Sequence, residues 1–270
     1  MSTAPEEKAS EAEQAQPQRA APAPTGRREL NRISRTRTFL DTAFRVVMDE
    51  GFDALTMQRL ADETGAAIGA VYRYFPSKGA LVAEVQREAI ERLGTSYALI
   101  RDRSDRVFEQ QHLDAAAMGL ARLMLFGRFF IATADTYPQE LRLLQMLMGE
   151  SRSLVPPEEG LRVVPSAMRL LDRARVCLDD AMAAGAIDDR DESMARVVTW
   201  ASAVGGVLQL TRLGIYDPEL FDGDRLAREL TADMLVGWGA TRAAVDAAIA
   251  LVDEIAAVGP LAPPVPFGQA

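Results

Sequence analysis

Residues 56–78 read TMQRLADETGAAIGAVYRYFPSK, and the fold is decided there. Thr56 carries a hydroxyl suited to capping a helix, Leu60 and Ala61 then face inward, and Gly65 ends the helix after about nine residues. A short helix follows at once, from about Ala67 to Phe75, with Ile68, Val71, Tyr72 and Phe75 at helical spacing, and Pro76 stops it. Ser77 is placed to cap the next helix, whose Leu81, Val82, Val85, Ala89 and Leu93 form an apolar stripe. Upstream, Phe39, Leu40, Ala43, Phe44, Val47 and Met48 fall on one face of a helix that runs to about Glu50, with Gly51 as its stop. Helix, two-residue turn at Gly65-Ala66 and short helix give the spacing of a helix-turn-helix, in which the second member enters a DNA major groove and the first braces it.

Working outward, the chain has 270 residues, room for one large domain or two small ones. Its 48% hydrophobic content supports a sizeable core, and the 6% aromatic share makes that core aliphatic, rich in Ala, Leu and Met. The charge-free apolar run from Val197 to Thr211 has 15 residues, short of the roughly 18–20 that a spanning helix needs, so no membrane passage is expected. A lone cysteine, Cys177, forms no internal disulfide, and with a single histidine, His112, it cannot complete a zinc site. No carboxylate pair, Ser/His/Asp set or Gly-rich phosphate loop is visible, so neither an enzyme nor a cofactor is expected. The N-terminus lacks a charged-then-apolar leader, which points to a cytoplasmic protein.

A net charge of −9 argues against a nucleic-acid partner only as an average. Residues 27–78 carry a balance of +2, residues 1–26 carry −2, and residues 79–270 carry −9. Local charge decides whether a surface approaches phosphates, so a DNA-binding head on an acidic body is consistent with the total.

The literal letters narrow this further. Phe44, the run Asp49-Glu50-Gly51-Phe52-Asp53-Ala54-Leu55-Thr56-Met57, Leu60-Ala61, Thr64-Gly65-Ala66-Ala67, the run from Ile68 to Lys78, and Leu81 together resemble the DNA-binding head of the tetracycline-repressor (TetR) family of bacterial transcription regulators. The resemblance implies an all-α homodimer with an N-terminal three-helix head and a divergent helical body that binds a small effector and dimerises. The expected division is a disordered tail at 1–28, the head at 29–82, the body at 83–258, and a Pro-rich disordered tail at 259–270.

By that resemblance Thr56 is suited to capping and to a phosphate oxygen, a pure capping role being equally open, Tyr72 and Tyr74 offer phenols to phosphates, ring packing alone being the alternative for Tyr72, and Lys78 acts as a point charge on the backbone. Tyr74 is read as the more exposed phenol. Ala67 leaves the recognition helix without a hydroxyl cap, Ile68 replaces a commonly polar residue, and Gly69 and Ala70 allow close approach to base edges. Arg73 is then the one side chain of the helix able to make a bidentate contact to guanine, a phosphate contact being equally open to it. Few direct base contacts and a large share of phosphate and shape readout are expected. Arg35 and Arg37, read as preceding the first helix, are candidates for an arm on phosphate or minor groove, a solvated lead-in to the helix being the alternative.

Beyond residue 95 the resemblance stops. Helices are expected at about 113–134, around Leu141 to Met148, at 168–184, 192–213, 223–238 and 243–258. Met118, Met124, Phe126, Met146, Met168 and Trp200 are candidates to line a cavity for a small apolar effector, an ordinary filled core being the alternative. By order along the chain, the helices at 192–213 and 223–238 correspond to the family's dimerising pair. The expected function is a ligand-responsive regulator, a repressor on a palindromic operator. The alternative is a dimeric ligand- or protein-binding helical protein whose head no longer reads specific DNA.

Overall fold

A computed structural model describes residues 26–149, 157–189 and 192–267, the side chains of 146–149 and 157 excepted. Among these residues there are ten α-helices and no strand. The head comprises α1 (Arg27–Glu50), α2 (Met57–Glu63), α3 (Ile68–Tyr74) and the start of α4 (Lys78–Gln110). The body adds α5 (Ala115–Thr136), α6 (Pro138–Gly149), α7 (Pro157–Ala183), α8 (Ser193–Leu210), α9 (Gly223–Gly237) and α10 (Arg242–Val258).

Side-chain caps set several of these boundaries. Thr56 Oγ1 accepts from the Arg59 amide at 3.1 Å, and Ser77 Oγ accepts from the Ala80 amide at 2.9 Å, as their positions predict. Between α2 and α3 the chain reverses at Gly65, whose φ of +59° only glycine adopts without strain. The Ala66 amide reaches back to Ala61 O at 2.9 Å and the Gly65 amide to Asp62 O at 3.3 Å, closing the end of α2 on itself. Val71 and Phe75 then enter the core formed by Phe39, Ala43, Val46, Leu55, Leu60, Leu81 and Val85.

Two boundaries differ from the sequence reading. α1 begins at Arg27, so Arg27 and Arg28 belong to a helix and only residues 1–25 of the expected tail lie outside the description. The apolar spacing Leu40, Ile33, Leu30 continues the helical stripe backward, although Ile33 and Leu30 remain exposed. The expected division between residues 82 and 83 falls inside α4, a helix of 33 residues, roughly 50 Å long, that runs from the head deep into the body.

The body is layered around α5. That helix is apolar and long enough to cross a membrane by composition, yet it is largely buried and packs against α4, α6, α7, α8, α9 and α10, which is the position of a core helix. Phe126 sits among Tyr97, Phe129, Phe130 and Trp200, with ring centroids 4.8–6.5 Å apart. The Trp200 indole donates to Thr231 Oγ1 at 3.1 Å, and Gly127 lies directly beneath that pair. Buried Arg128 is held by Asp224 of α9 and Asp253 of α10, which satisfies its charge inside the bundle. His112 takes a left-handed φ of 54° to end α4, and Cys177 is fully buried, so both are structural.

Past α10 the structure departs from expectation. Residues 259–267, read as part of a disordered tail, pack on the bundle with Leu261, Ala262 and Val265 buried. Prolines suggested disorder because they end helices; but they also pre-set an extended chain, and the apolar residues between them supply the burial that holds it. Residues 268–270 lie outside the description.

Candidate nucleic-acid interface

The recognition helix α3 is two turns long and has two faces. Val71, with Phe75 just beyond its end, is buried in the head, while Ala67, Ile68, Gly69, Tyr72 and Arg73 are exposed on one continuous side. Ala70 is half-buried between the two faces. No Cβ contact limits Gly69, so the outer surface around it is open to a groove wall or base edge. Ala67 occupies the cap position without a side-chain hydrogen bond, as its missing hydroxyl requires. Ile68, at 40% exposure, faces solvent rather than the head's core, despite its place in the apolar spacing.

The two tyrosines exchange the positions the sequence suggested. Tyr72 is 47% exposed, whereas Tyr74 is half-buried with its ring edge-on to Phe39 at a centroid distance of 5.3 Å. Residues two apart lie about 200° round the axis, so the two tyrosines flank the inward direction set by Val71 and Phe75, and Phe39 of α1 selects Tyr74 as the ring turned inward.

Part of the head's charge is compensated within it. Arg59 pairs with Glu50 and Glu63, and Arg45 also pairs with Glu63. The Arg59 hydrogen bonds hold the Glu50 and Glu63 carboxyls below the ordinary glutamate value, which keeps this network ionised. Arg73 is different. It is exposed and makes no ion pair or hydrogen bond among the described residues, so its five donors stay available to an incoming acceptor. Thr56 is exposed too, and because its oxygen only accepts in the cap, its O–H can still donate to a phosphate. Lys78 Nζ donates to Phe52 O at 2.9 Å, tying the start of α4 to the turn after α1 and leaving two donors.

The proposed arm fares differently. Arg35 and Arg37 lie inside α1, one and two turns before Phe39 and Phe44, and do not precede the first helix. Arg35 stacks over Phe39 at 5.2 Å. Arg37 reaches Asp41 at 2.8 Å and Glu88 of α4 at 2.7 Å; burial opposes its charge, but these two carboxylates outweigh that and hold it more firmly cationic. An arginine so occupied braces α1 against α4. Arg27 and Arg28, of the same basic run, open α1 and are exposed.

Of the six residues proposed to line an effector cavity, Phe126 and Trp200 meet, with ring centroids 5.5 Å apart, and the described side chains do not enclose a common cavity. Met124, Phe126 and Trp200 are buried in the filled core, Met118 is half-buried, and Met168 is 40% exposed on α7. The Met146 side chain lies outside the described residues. Phe126 and Trp200 border a void of only about 10 Å³, room for at most one water. A cleft of about 230 Å³ opens between the end of α1 and α6, lined by Val47, Met48, Phe52, Gln139, Arg142 and Leu143 among others, and Met118, Met124, Phe126, Met168 and Trp200 do not line it.

Residues 39–85 match the family model described as bacterial regulatory proteins, tetR family. Among curated proteins no sequence matches the chain. Solved structures with the same fold include a TetR transcription regulator from Haloarcula marismortui, at 19% identity and a TM-score of 0.55, covering 74% of this chain and 97% of that one. A TetR-family regulator from Agrobacterium tumefaciens aligns at 15% identity and 0.52 over 76% of this chain and 98% of its own. RolR in complex with resorcinol aligns at 18% and 0.53 over 81% and 95%. At these identities the likeness concerns the fold.

Proposed function

We propose, from the match of residues 39–85 to the model of the tetR family of bacterial regulatory proteins, that the chain is a member of that family: a cytoplasmic, ligand-responsive repressor that binds a palindromic operator as a homodimer. The observation that carries the reading is the outer face of α3: Ile68, Gly69, Tyr72 and Arg73 are exposed together, and Arg73 is unengaged among the described residues. A guanidinium free on a groove-sized helix supplies one bidentate base or phosphate contact, with Tyr72, Thr56 and Lys78 contributing phosphate contacts that carry no sequence information.

The second copy belongs on α8. Its outer face presents Ala195, Val198, Thr199, Ser202, Gly206 and Gln209, an uncharged surface of small and medium side chains suited to close helix packing across a two-fold axis. Such a dimer sets two copies of α3 about 34–36 Å apart or at a multiple of one DNA turn, which is why the site is read as a palindrome. An effector entering between α5 and α8 has to displace side chains around Phe126 and Trp200, because the void there is about 10 Å³; it lowers DNA affinity only as far as it prefers the conformation with the wrong helix separation.

Selection of bound sequences from a random duplex pool tests this. Enrichment of one inverted repeat, with affinity lost in Arg73→Ala, supports the reading. Salt-sensitive binding without sequence preference favours instead the dimer whose head no longer reads DNA, and reproducible turnover in a substrate screen would replace both with an enzyme.

A further inference from the structure

The segment after α10 is built as a strap between body and head. It reads Gly259-Pro260-Leu261-Ala262-Pro263-Pro264-Val265-Pro266-Phe267, and its polar backbone atoms are met by dedicated partners. Arg103 donates to Gly259 O at 3.1 Å and Pro260 O at 3.0 Å, receiving the chain as it leaves α10. Ser96 of α4 donates to Pro263 O at 2.7 Å, and the Tyr137 hydroxyl donates to the same oxygen. That hydroxyl also accepts the Val265 amide at 2.7 Å, while Arg92 donates to Val265 O and is itself held by Glu140. One phenol thus reads both an acceptor and a donor of the extended chain, and four prolines remove amides that would otherwise need partners.

The tip lands on the head. Phe267 stacks on Phe44 of α1 with centroids 4.0 Å apart and planes 22° apart, and the Arg37 guanidinium lies 4.8 Å from its centroid. Arg37 is the arginine that joins α1 to Glu88 of α4, so the ring closes over the contact between α1 and α4. The prolines restrict the free segment to extended conformations, which lowers the ordering entropy that docking must overcome.

We propose that residues 260–267 are a strap that fixes the angle between the head and the body, with Phe267 as its clasp on Phe44 and Arg37. The angle sets where α3 stands relative to the body, and in a dimer it sets the spacing of the two recognition helices. Release of the clasp therefore widens the range of head orientations without unfolding either part.

The test uses spin labels at Asp53→Cys in the head and Glu109→Cys at the far end of α4, both exposed positions, with buried Cys177 left in place. Distances are measured by pulsed electron resonance without DNA, in the full chain, in a chain ending at Gly259, and in Phe267→Ala. Both altered chains are expected to give a broadened distribution, with hydrogen exchange over residues 37–48 faster by about tenfold. Addition of a synthetic peptide of residues 260–267 to the shortened chain restores the narrow distribution, and the same peptide with alanine for its phenylalanine does not. An unchanged distribution in the folded shortened chain overturns the proposal; should that chain not fold, an unchanged distribution in Phe267→Ala overturns it. Because no DNA is present, the outcome stands apart from whether the head reads an operator.

Discussion

Tyr72 and Tyr74 separate recognition from folding, since α3 turns one outward and the other inward. Tyr74→Ala removes a half-buried ring edge-on to fully buried Phe39 at 5.3 Å. Truncating a fully buried aromatic costs about 3–5 kcal/mol and a ring pair contributes about 0.5–1.5 kcal/mol of that, so a half-buried ring should cost about 2 kcal/mol. In a chain of this size that lowers the melting temperature by about 4–8 °C. Tyr72→Ala removes a ring that is 47% exposed, so stability should stay within about 0.5 kcal/mol of the parent. Losing its phosphate contact, worth about 1.5 kcal/mol, weakens DNA binding roughly tenfold instead. Calorimetry gives the first quantity, and fluorescence anisotropy on a selected duplex gives the second. Equal destabilisation by the two substitutions, or unaltered DNA affinity in Tyr72→Ala, would refute the assignment of faces.

Other consequences concern the body and the head's charge. A Cβ on Gly119 would lie 2.9 Å from Ala181 Cα and Cβ of α7, so Gly119→Ala should lower urea stability by about 1 kcal/mol, overpacking outweighing a helix-propensity gain of similar size; a raised midpoint would show that α5 and α7 can part freely. Hydrogen bonds from Arg59 lower the Glu50 and Glu63 pKa values from 4.5. Their contribution is thus complete above about pH 4.5 and is lost as the pH falls through the lower folded values. Arg59→Gln should make the thermal stability less sensitive to pH in that acidic window, and parallel pH profiles for parent and variant would remove the network from the stability account. Burial pushes the Cys177 thiol up, against the opposing charge of Arg101; iodoacetamide at pH 8 should modify it only on unfolding, and rapid labelling of the native protein would contradict its burial.

The head was legible because its signals are local. Thr56 and Ser77 cap the helices assigned to them, Gly65 makes the turn, and Arg73 points outward as a lone donor. The tyrosine order was misread because two neighbours on a short helix differ by a rotation that the letters do not carry; Phe39, distant in sequence, selects the inward one. Arg35 and Arg37 were misplaced for a related reason: a basic run looks the same before a helix and within it, and Glu88, 51 residues away, is what claims Arg37.

In the body, periodicity located the helices but not their partners. Met124 and Trp200 look equally suited to a cavity wall or a filled core, and only the approach of α8 and α9 to Gly127 closes the space between them. The C-terminal prolines present the same ambiguity, because their effect on the backbone is local while Tyr137, Arg92 and Phe44, which hold the segment down, come from α1, α4 and the α5–α6 corner. Short-range chemistry, namely caps, turns and the 3.6-residue repeat, was written in the chain itself. What a side chain faces depends on residues tens to hundreds of positions away, and those meetings exist only once the helices have packed.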